Sequence, residues 1–407
     1  MSTLLVLNSG SSSIKFELFD TDGIASIAAG CVERLGEASG RQTCLIRQEN
    51  GKTAEQSSNQ KLADHREGFD YIAKTLFETG LIEGSGSLRG IGHRVVHGGE
   101  KFREPTLLDD AVLEVIRKQT VLAPLHNPAN LLGVEVALQT YPGVPQVAVF
   151  DTAFHQTIPP HAYLYAIPYE HYERHGIRRY GFHGTSHQYV ARAAAEYLER
   201  PLDKLRLITI HLGNGASMAA IDRGKCVDTS MGLTPLEGLM MGTRSGDIDP
   251  AVVPFLADNE GMSLGEVDAM LNKQSGLKGI CGENDMREIL HRVEQGDRRA
   301  ALAVEMYAYR IKKYLGAYLA VLGGADAIVF TAGIGENSPA VREMACAGLE
   351  GIGIALDVEK NSTAASDTRE IQSTSSDVRI LVVPTDEELE IARQTLACIE
   401  AGGSPGN

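Results

Sequence analysis

Several features are absent from this 407-residue sequence, and each absence excludes a class of protein. The six cysteines include no C-x-x-C pair, which argues against a zinc site or a disulfide framework and favours a reducing compartment. No apolar run approaches the roughly 20 residues needed to cross a bilayer, and the N-terminal run lacks the basic segment of a signal peptide. We therefore expect a cytoplasmic protein without a membrane partner.

Basic residues are also scarce: 38 Lys and Arg stand against 53 Asp and Glu, which gives a formal net charge of -15. Sequence-independent binding to nucleic acid requires a basic surface that displaces counterions. We therefore expect no nucleic-acid partner. The remaining composition, 43% hydrophobic and 22% charged, is that of a globular protein, and the length favours two domains.

The common nucleotide-binding motifs are missing as well. Gly51-Lys52-Thr53 is not a P-loop, because Ile46 stands where the first glycine of that motif is required. The runs 213–215 and 333–335 each read G-x-G but lack the third glycine of a dinucleotide fingerprint. No G-x-S-x-G nucleophile elbow is present around Ser186.

Glycine, in contrast, is abundant, with 43 residues that follow no repeating period. Two turns composed largely of Gly, Ser and Asn, 8–13 and 211–215, each connect two predicted strands (3–7 with 14–19, and 207–210 with 216–221). The turns lie about half the chain apart, which indicates an internal duplication. Backbone N–H groups of glycines can approach phosphate oxygens closely, so paired turns of this kind favour a phosphate clamp. Ordinary hairpin turns use the same residues and remain the alternative.

Further patterns predict an α/β protein with two lobes. A second pair of similar strands, 147–150 and 327–330, occurs in the same order as the two turns. Apolar residues at helical spacing predict several helices. The polar segment 41–61 resembles a hairpin with a surface loop. We place an N-terminal lobe at 1–150, with the helix at 386–400 packing back on it, and a nucleotide-binding lobe at 151–385. The predicted helices are 65–78, 127–140, 186–198 with Thr185 and Ser186 as the N-cap, 298–322 and 387–400.

Several charged residues stand in positions that suit a site for anions. Arg94 lies in an apolar strand between glycines, where it needs either a substrate carboxylate or phosphate or an internal acidic partner. Arg244 lies in a Gly-flanked loop, and His183 precedes a predicted helix N-terminus, which attracts anions. Asp151 follows an apolar strand, where α/β proteins often place a catalytic carboxylate. Gly333 to Asn337 form a Gly-rich turn that suits a nucleotide, and Ser338 is predicted to cap the next helix.

Together these motifs strongly resemble the acetate kinase family of the actin-like ATPase superfamily, over essentially the whole chain. The segments that carry the resemblance are 8–15, 92–99, 123–128, 149–155, 179–187, 231–249 and 330–337. The resemblance implies two duplicated actin-like, RNase H-like lobes with a central interdomain cleft. It also implies reversible ATP-dependent phosphorylation of acetate by direct in-line transfer, with Mg²⁺ or Mn²⁺, in a homodimer.

The resemblance further implies a role for individual residues. Asn8 and Glu387 would hold the metal, and Arg94, Asp151, His183 and Arg244 would be catalytic, with Arg94 also on the acetate carboxylate. Val96, Leu125, Phe182 and Pro235 would form the acyl pocket. The residues expected to bind ATP or ADP are Ser11, Ser13, Lys15, His211, Leu212, Gly213, Asn214, Gly215, Asp285, Met286, Arg287, Gly333, Ile334, Gly335, Glu336 and Asn337.

Elementary chemistry argues against Asp151 as a catalytic base and leaves more than one candidate substrate. Acetate is already ionised at neutral pH, so Asp151 is not needed as a base, and we expect it to orient metal-bound waters or the arginines. One methylene in an apolar pocket discriminates by only about 1–3 kcal/mol, so a propionate- or butyrate-preferring kinase remains open. An actin- or Hsp70-like ATPase switch is less favoured, because a switch has no use for Arg94 and an apolar pocket. A sugar kinase is less favoured still.

Overall fold

The computed structural model describes residues 2–10, 12–37, 39–47, 52–123 and 126–402. Its strands are β1 Thr3–Ser9, β2 Ser13–Asp20, β3 Ser26–Glu33, β4 Arg41–Arg47, β5 Thr53–Ser58, β6 Leu88–Val95, β7 Thr106–Leu107, β8 Gln146–Phe150, β9 Arg206–Leu212, β10 Ala216–Asp222, β11 Lys225–Thr229, β12 Ala327–Thr331, β13 Arg369–Glu370 and β14 Arg379–Val382. Its α-helices are α1 His65–Glu78, α2 Asp110–Lys118, α3 Asn127–Thr140, α4 Pro160–Tyr163, α5 Glu170–His175, α6 Gly184–Tyr197, α7 Val252–Glu260, α8 Leu264–Lys273, α9 Gly276–Cys281, α10 Met286–Glu294, α11 Arg298–Leu322, α12 Ala332–Asn337, α13 Pro339–Cys346, α14 Val358–Ser362 and α15 Glu387–Glu400.

The chain forms two compact units. Unit 1 comprises Met1–Phe154 together with Asp386–Asn407, and unit 2 comprises His155–Thr385. The sheet of unit 1 has the order β5-β4-β3-β2-β1-β6-β8-β7. Helix α15 packs on β1, β6 and β8, while α1 and α3 contact strands of the same sheet. Buried aliphatic and aromatic side chains such as Leu5, Phe69 and Val147 fill the layers between sheet and helices.

Unit 2 is built around the sheet β11-β10-β9-β12-β14-β13. Strands β9 and β12 are buried along nearly their whole length, as expected for parallel strands covered on both faces. The long helix α11 lies against β9, β10 and the helices α9, α10 and α13. Its N-cap Asp297 accepts hydrogen bonds from two backbone N–H groups, and Gly323, at a φ of 65°, ends it in the left-handed region.

The two sheets share one strand pattern, which agrees with the predicted duplication. In β3-β2-β1-β6-β8 and in β11-β10-β9-β12-β14, three antiparallel strands precede two that run parallel to the third. This repeated arrangement confirms the α/β class with two duplicated actin-like units.

All five predicted helices and the hairpin of β4 and β5 are present, whereas one capping prediction is wrong and another is right only in position. Helix α6 begins at Gly184, with His183 rather than Thr185 or Ser186 at its N-cap position. The Ser186 hydroxyl is instead buried against His211 Nδ1 at 2.8 Å, because a partner in the sheet competes for it. Ser338 does hold the N-cap position of α13, yet its side chain makes no capping hydrogen bond.

The turn predicted at residues 333–337 is helical. Helix α12 follows β12 directly, and Ala332 adopts a φ of 63° as the chain changes direction. In the described part of the chain, no helix combines the length and the apolarity that crossing a bilayer requires.

Candidate active site

Unit 1 gathers charged side chains at the carboxyl ends of its parallel strands. Asn8 is the penultimate residue of β1, Arg94 that of β6, and Asp151 directly follows β8. The pairing of Leu7 with His93 and of Arg94 with Val149 brings these three strand ends to one level. Because α15 packs on the same strands, its first residue, Glu387, lies at this edge too. Such edges are where open α/β sheets place their ligands.

Arg94 is held by carboxylates of unit 1. Its Nε and Nη2 atoms donate to Asp151 Oδ2 at 3.1 and 2.6 Å, and Nε lies 3.7 Å from Glu387 Oε2. Burial alone would lower the pKa of Arg94, but Asp151 and Glu387 raise it above its ordinary value. Arg94 therefore has the internal acidic partner that was one of its two predicted alternatives. Its side chain is still 22% exposed, which leaves room for the other, a substrate anion. The guanidinium is thus fixed as a cation and still partly accessible.

The surroundings of Glu387 fit a divalent cation. Burial raises the pKa of Glu387 to about 7, with Arg94 opposing this and Asp151 and Glu388 adding to it. A hard cation with oxygen ligands, such as Mg²⁺, would relieve that repulsion. Asn8 offers an amide oxygen on β1, a strand that α15 contacts. The amide oxygen of Asn8 and the carboxylate of Glu387 therefore suit the metal that the family resemblance implies at these residues.

A second group of carboxylates lies in the same unit and was not found from the sequence. One oxygen each of Glu17, Asp386 and Glu388 lie within 4.8 Å of one another. Burial raises the pKa of Glu17 to about 7, and the two neighbouring acids add to the shift. Because Glu17 is distant in sequence from the other two, no spacing signal connects them.

A short-range backbone hydrogen bond closes each of the two turns, 8–13 and 211–215. Gly10 N–H donates to Ser13 C=O at 2.8 Å in unit 1, and Gly213 N–H donates to Gly215 C=O at 2.9 Å in unit 2. The predicted ligand Ser11 lies outside the described residues, whereas Ser13 opens β2 and Lys15 is exposed on that strand. The Gly213 N–H is therefore engaged within its own turn.

In unit 2, His183 and Arg244 converge on the turn at Gly215. A Cβ built on Gly215 would lie 3.3 Å from His183 Nε2 and 3.6 Å from Arg244 Nη1. His183 adopts a φ of 57°, and its ring stacks on His211 with centroids 4.2 Å apart. The structure thus brings together His183, His211, Gly215 and Arg244, four residues from three sequence motifs.

Arg244 differs from Arg94 in having no acidic partner among the described residues. Its Nη1 donates to Pro235 C=O at 3.1 Å, and burial lowers its pKa. Asp247, the acidic residue nearest to it in the loop, pairs instead with Arg310 at 3.4 Å. A partly buried guanidinium without a carboxylate is suited to an anionic ligand.

The Gly215→Ala substitution should lower turnover without unfolding the protein. The added methyl group meets His183 Nε2 at 3.3 Å, closer than most Cβ contacts, so the imidazole and Arg244 must move apart. We expect kcat to fall about 10-fold or more, because small misplacements of catalytic groups are costly. Gly316→Ala is the matched control, since a Cβ there meets nothing within 4 Å. Equal turnover in both variants would contradict the assignment of this turn.

Unit 2 also contains a cavity of about 650 Å³ beside the Gly215 turn. This volume is in the range of small-molecule and cofactor sites. Asp285 and Arg287 form an ion pair of 2.6 Å at its wall, and the guanidinium holds the pKa of Asp285 at about 2. The cavity is lined by Gly213, Asn214, Asn284, Asp285, Met286, Arg287, Leu290, Gly333, Ile334, Asn337 and Ser338.

Of the nucleotide ligands predicted within the segment 333–337, Gly335 and Glu336 are not among the residues that line this cavity. The Glu336 carboxylate accepts hydrogen bonds from the backbone N–H groups of Ala332 and Thr385, so it braces the turn from inside. The fully buried Arg342 donates to the carbonyl groups of Gly335 and Glu336. These contacts position the α12 turn, and the sequence offers no signal that distinguishes such a brace from a ligand. Leu212 is likewise a core residue of β9.

The residues predicted for the acyl pocket each belong to one of the two units. Val96, in unit 1, is buried, and its N–H donates to Asn130 Oδ1 at 3.1 Å. Phe182 is buried in unit 2, and Pro235 supplies the carbonyl that contacts Arg244. Leu125 lies outside the described residues.

A network that the sequence did not indicate holds the loop that carries Pro235. Arg179 donates to Glu237 Oε1 at 2.6 Å and to the carbonyl groups of Thr229, Ser230 and Met231. Burial alone would lower the pKa of Arg179, but the Glu237 carboxylate raises it above its ordinary value. The arginine therefore fixes the loop that ends beside Arg244.

The fold and these clusters define a class of protein: an actin-like α/β protein that binds a nucleotide-sized ligand and small anions. Residues 3–393 match the acetokinase family. The chain is 53% identical to "Acetate kinase" of Oleidesulfovibrio alaskensis, over 96% of this chain and 98% of the relative. It therefore belongs to the acetokinase family.

Solved structures agree with this assignment. The crystal structure of Porphyromonas gingivalis acetate kinase is 45% identical with a TM-score of 0.91, covering 98% of this chain and 100% of that one. The structure of a propionate kinase from Francisella tularensis is 43% identical with a TM-score of 0.92 and the same coverage.

Proposed function

We propose that this protein transfers the γ-phosphoryl group of ATP reversibly to acetate and forms acetyl phosphate and ADP. Its family and the names of its relatives support a kinase for a short carboxylate. Arg244 carries the argument from the structure, because its guanidinium has no acidic partner in the described part of the chain and lies beside a Gly-rich turn and a nucleotide-sized cavity. We expect the protein to act in the cytoplasm, where ATP is available.

In the proposed reaction, the cavity of unit 2 holds the nucleoside, and Asp285, Arg287 and the α12 turn bound it. Arg244 and His183 neutralise and orient the phosphoryl oxygens, while Arg94 binds the acetate carboxylate. Phosphoryl transfer depends mainly on positioning and charge stabilisation, so the chain needs no covalent nucleophile. A bound Mg²⁺, held by Asn8 and Glu387, would supply further charge neutralisation on the phosphates.

We propose that Asp151 orients Arg94 and does not act as a base. Its two oxygens hold the Arg94 Nε and Nη2 atoms, and acetate arrives already ionised. This is one of the two roles expected from the sequence, the other being the orientation of metal-bound waters.

An assay with MgATP and a panel of acceptors tests the proposal. Acyl phosphate trapped as its hydroxamate should form from acetate and more slowly from propionate and butyrate, and none should form from glucose. The panel also tests the propionate-preferring alternative, which the nearly equal similarity to the two solved kinases keeps open. ATP hydrolysis without acyl phosphate from any carboxylate would favour an ATPase switch instead.

We further propose that the protein is a homodimer and that α11 contributes to its interface. Leu302, Met306 and Tyr309 are exposed at 49%, 40% and 62% and follow one face of this helix. Solvent-exposed apolar residues in such a row favour burial against another copy. We expect light scattering to give a dimer for the wild type and a monomer for Met306→Glu, whereas Phe77→Glu on α1 should remain dimeric. A monomeric wild type would refute the proposal.

A further inference from the structure

Behind His183, unit 2 contains a chain of hydrogen bonds formed by hydroxyl groups and imidazole rings. His183 Nδ1 lies 2.8 Å from Ser217 Oγ, and the same oxygen lies 2.8 Å from His187 Nε2. His187 Nδ1 in turn lies 2.8 Å from Thr209 Oγ1. Thr209, His187 and Ser217 are fully buried. We call these three residues and His183 the Thr209–His183 chain.

The protons in this chain can be counted. Burial lowers the pKa of His187 well below its ordinary value, so this ring is neutral and has one donor and one acceptor nitrogen. Ser217 carries one hydroxyl proton and lies between two imidazole nitrogens. Ser217 both donates and accepts only if all the hydrogen bonds run from Thr209 towards His183 or all run in the opposite direction. If both rings donated to Ser217 instead, its own buried proton would lack an acceptor.

Thr209 decides between the two directions. Its hydroxyl oxygen has His187 Nδ1 as its single side-chain or backbone partner within the described chain. If Thr209 only accepted, its own buried proton would lack an acceptor, which costs about 1–3 kcal/mol. If Thr209 donates, His187 donates from Nε2 to Ser217, and Ser217 donates to His183 Nδ1. The neutral His183 ring then carries its proton on Nε2, the atom nearest to the Gly215 turn.

We propose that Thr209, His187 and Ser217 are positioning residues that hold His183 as a neutral imidazole with its N–H donor on Nε2, directed at the phosphoryl oxygens. This inference rests on the proposed function. The opposite tautomer would present a lone pair to those oxygens and would repel them. A preorganised donor at developing negative charge is among the strongest contributions to catalysis.

The chain also opposes the protonation of His183. A proton on Nδ1 would make His183 a donor to Ser217. Either the Ser217 proton would then lose its acceptor, or the hydrogen bonds would reverse and leave the Thr209 proton without one. The Arg244 guanidinium lies across Gly215 from the ring, so a second positive charge at His183 is electrostatically unfavourable.

Thr209→Val tests the proposal, because it keeps the shape of the side chain and removes the hydroxyl that sets the direction. His187 can then reverse, so part of the population should carry the His183 proton on Nδ1. We expect kcat to fall about 10-fold near pH 8, with the KM values for ATP and acetate nearly unchanged. The ratio of variant to wild-type kcat should rise towards one at low pH, since the protonated ring carries a proton on both nitrogens. Thr209→Ser retains the hydroxyl and should show no such pH-dependent loss.

A second measurement reads the tautomer without turnover. Ring ¹⁵N spectra of histidine-labelled protein, with His183 assigned through a His183→Gln variant, should show a protonated Nε2 in the wild type and a mixture in Thr209→Val. Ser217→Ala cuts the chain at another hydroxyl and should also give a mixture. A wild-type ring protonated on Nδ1, or Thr209→Val with wild-type kcat at every pH, would overturn the inference. Absence of acyl phosphate from the wild type would instead refute the proposed function, and the spectra would still decide the tautomer.

Discussion

Replacing Arg244 with glutamine should abolish most of the turnover and leave the protein at least as stable as the wild type. Arg244 is a partly buried cation whose hydrogen-bond partner is a carbonyl oxygen, and burial lowers its pKa. Its removal therefore relieves a desolvation cost and leaves no acidic group without a partner. In contrast, an arginine that stabilises a transferring phosphoryl group typically accounts for about 10³-fold or more in kcat.

The measurement for Arg244→Gln pairs hydroxamate kinetics with thermal unfolding. Arg310→Gln on α11 is a useful control, because Arg310 contacts Asp247 in the same loop without approaching Gly215. It should cost some stability and little turnover. An Arg244→Gln protein that unfolds at a much lower temperature, or one that keeps its turnover, would show that Arg244 is a structural residue.

Replacing Arg94 with glutamine should have a different signature, in which activity and stability are lost together. Asp151 is 1% exposed and receives both arms of the guanidinium, so the variant leaves a buried carboxylate without its counterion. Removing one partner of a buried pair costs about 3–5 kcal/mol in the free energy of unfolding. Turnover should fall by about 10²–10³-fold, because the substrate carboxylate loses its charged partner.

The double variant Arg94→Gln with Asp151→Asn separates the two effects. Two neutral amide groups replace the pair of Arg94 and Asp151, and only Glu387, 3.7 Å from Arg94, still loses a neighbouring cation. We therefore expect much of the lost stability to return. The turnover should stay low, because no cation remains for acetate. If the double variant recovered turnover along with stability, Arg94 would be needed for folding alone.

The contrast between these two arginines shows what the sequence can predict. Local patterns predicted the five long helices, the strand ends and the loops, because apolar periodicity and glycine turns are local properties. Both Arg94 and Arg244 stand next to glycines in the sequence and suggested the same role. Only the three-dimensional contacts distinguish a cation paired with Asp151 from a cation that contacts the carbonyl of Pro235.

The groups that the sequence missed depend on contacts between distant segments. Thr209 and Ser217 are ordinary strand residues in sequence, and their hydroxyls acquire a role only because α6 places His183 and His187 against them. The Gly333–Asn337 turn was predicted as a ligand site throughout, yet the Glu336 carboxylate faces backbone N–H groups. Side-chain direction in such a turn is set by its neighbours in space, which composition does not reveal.

Because the chain returns to unit 1 after forming unit 2, the two parts of unit 1 are synthesised at different times. Strands β1, β6 and β8 leave the ribosome early, but α15, which packs on all three, is made last. Until then, the apolar face that Ile391 and Ala392 cover is open, and Glu387 is absent beside Arg94. Unit 2, in contrast, is a continuous segment that can fold during translation. Unit 1 therefore becomes complete only after the whole segment that forms unit 2 has been synthesised.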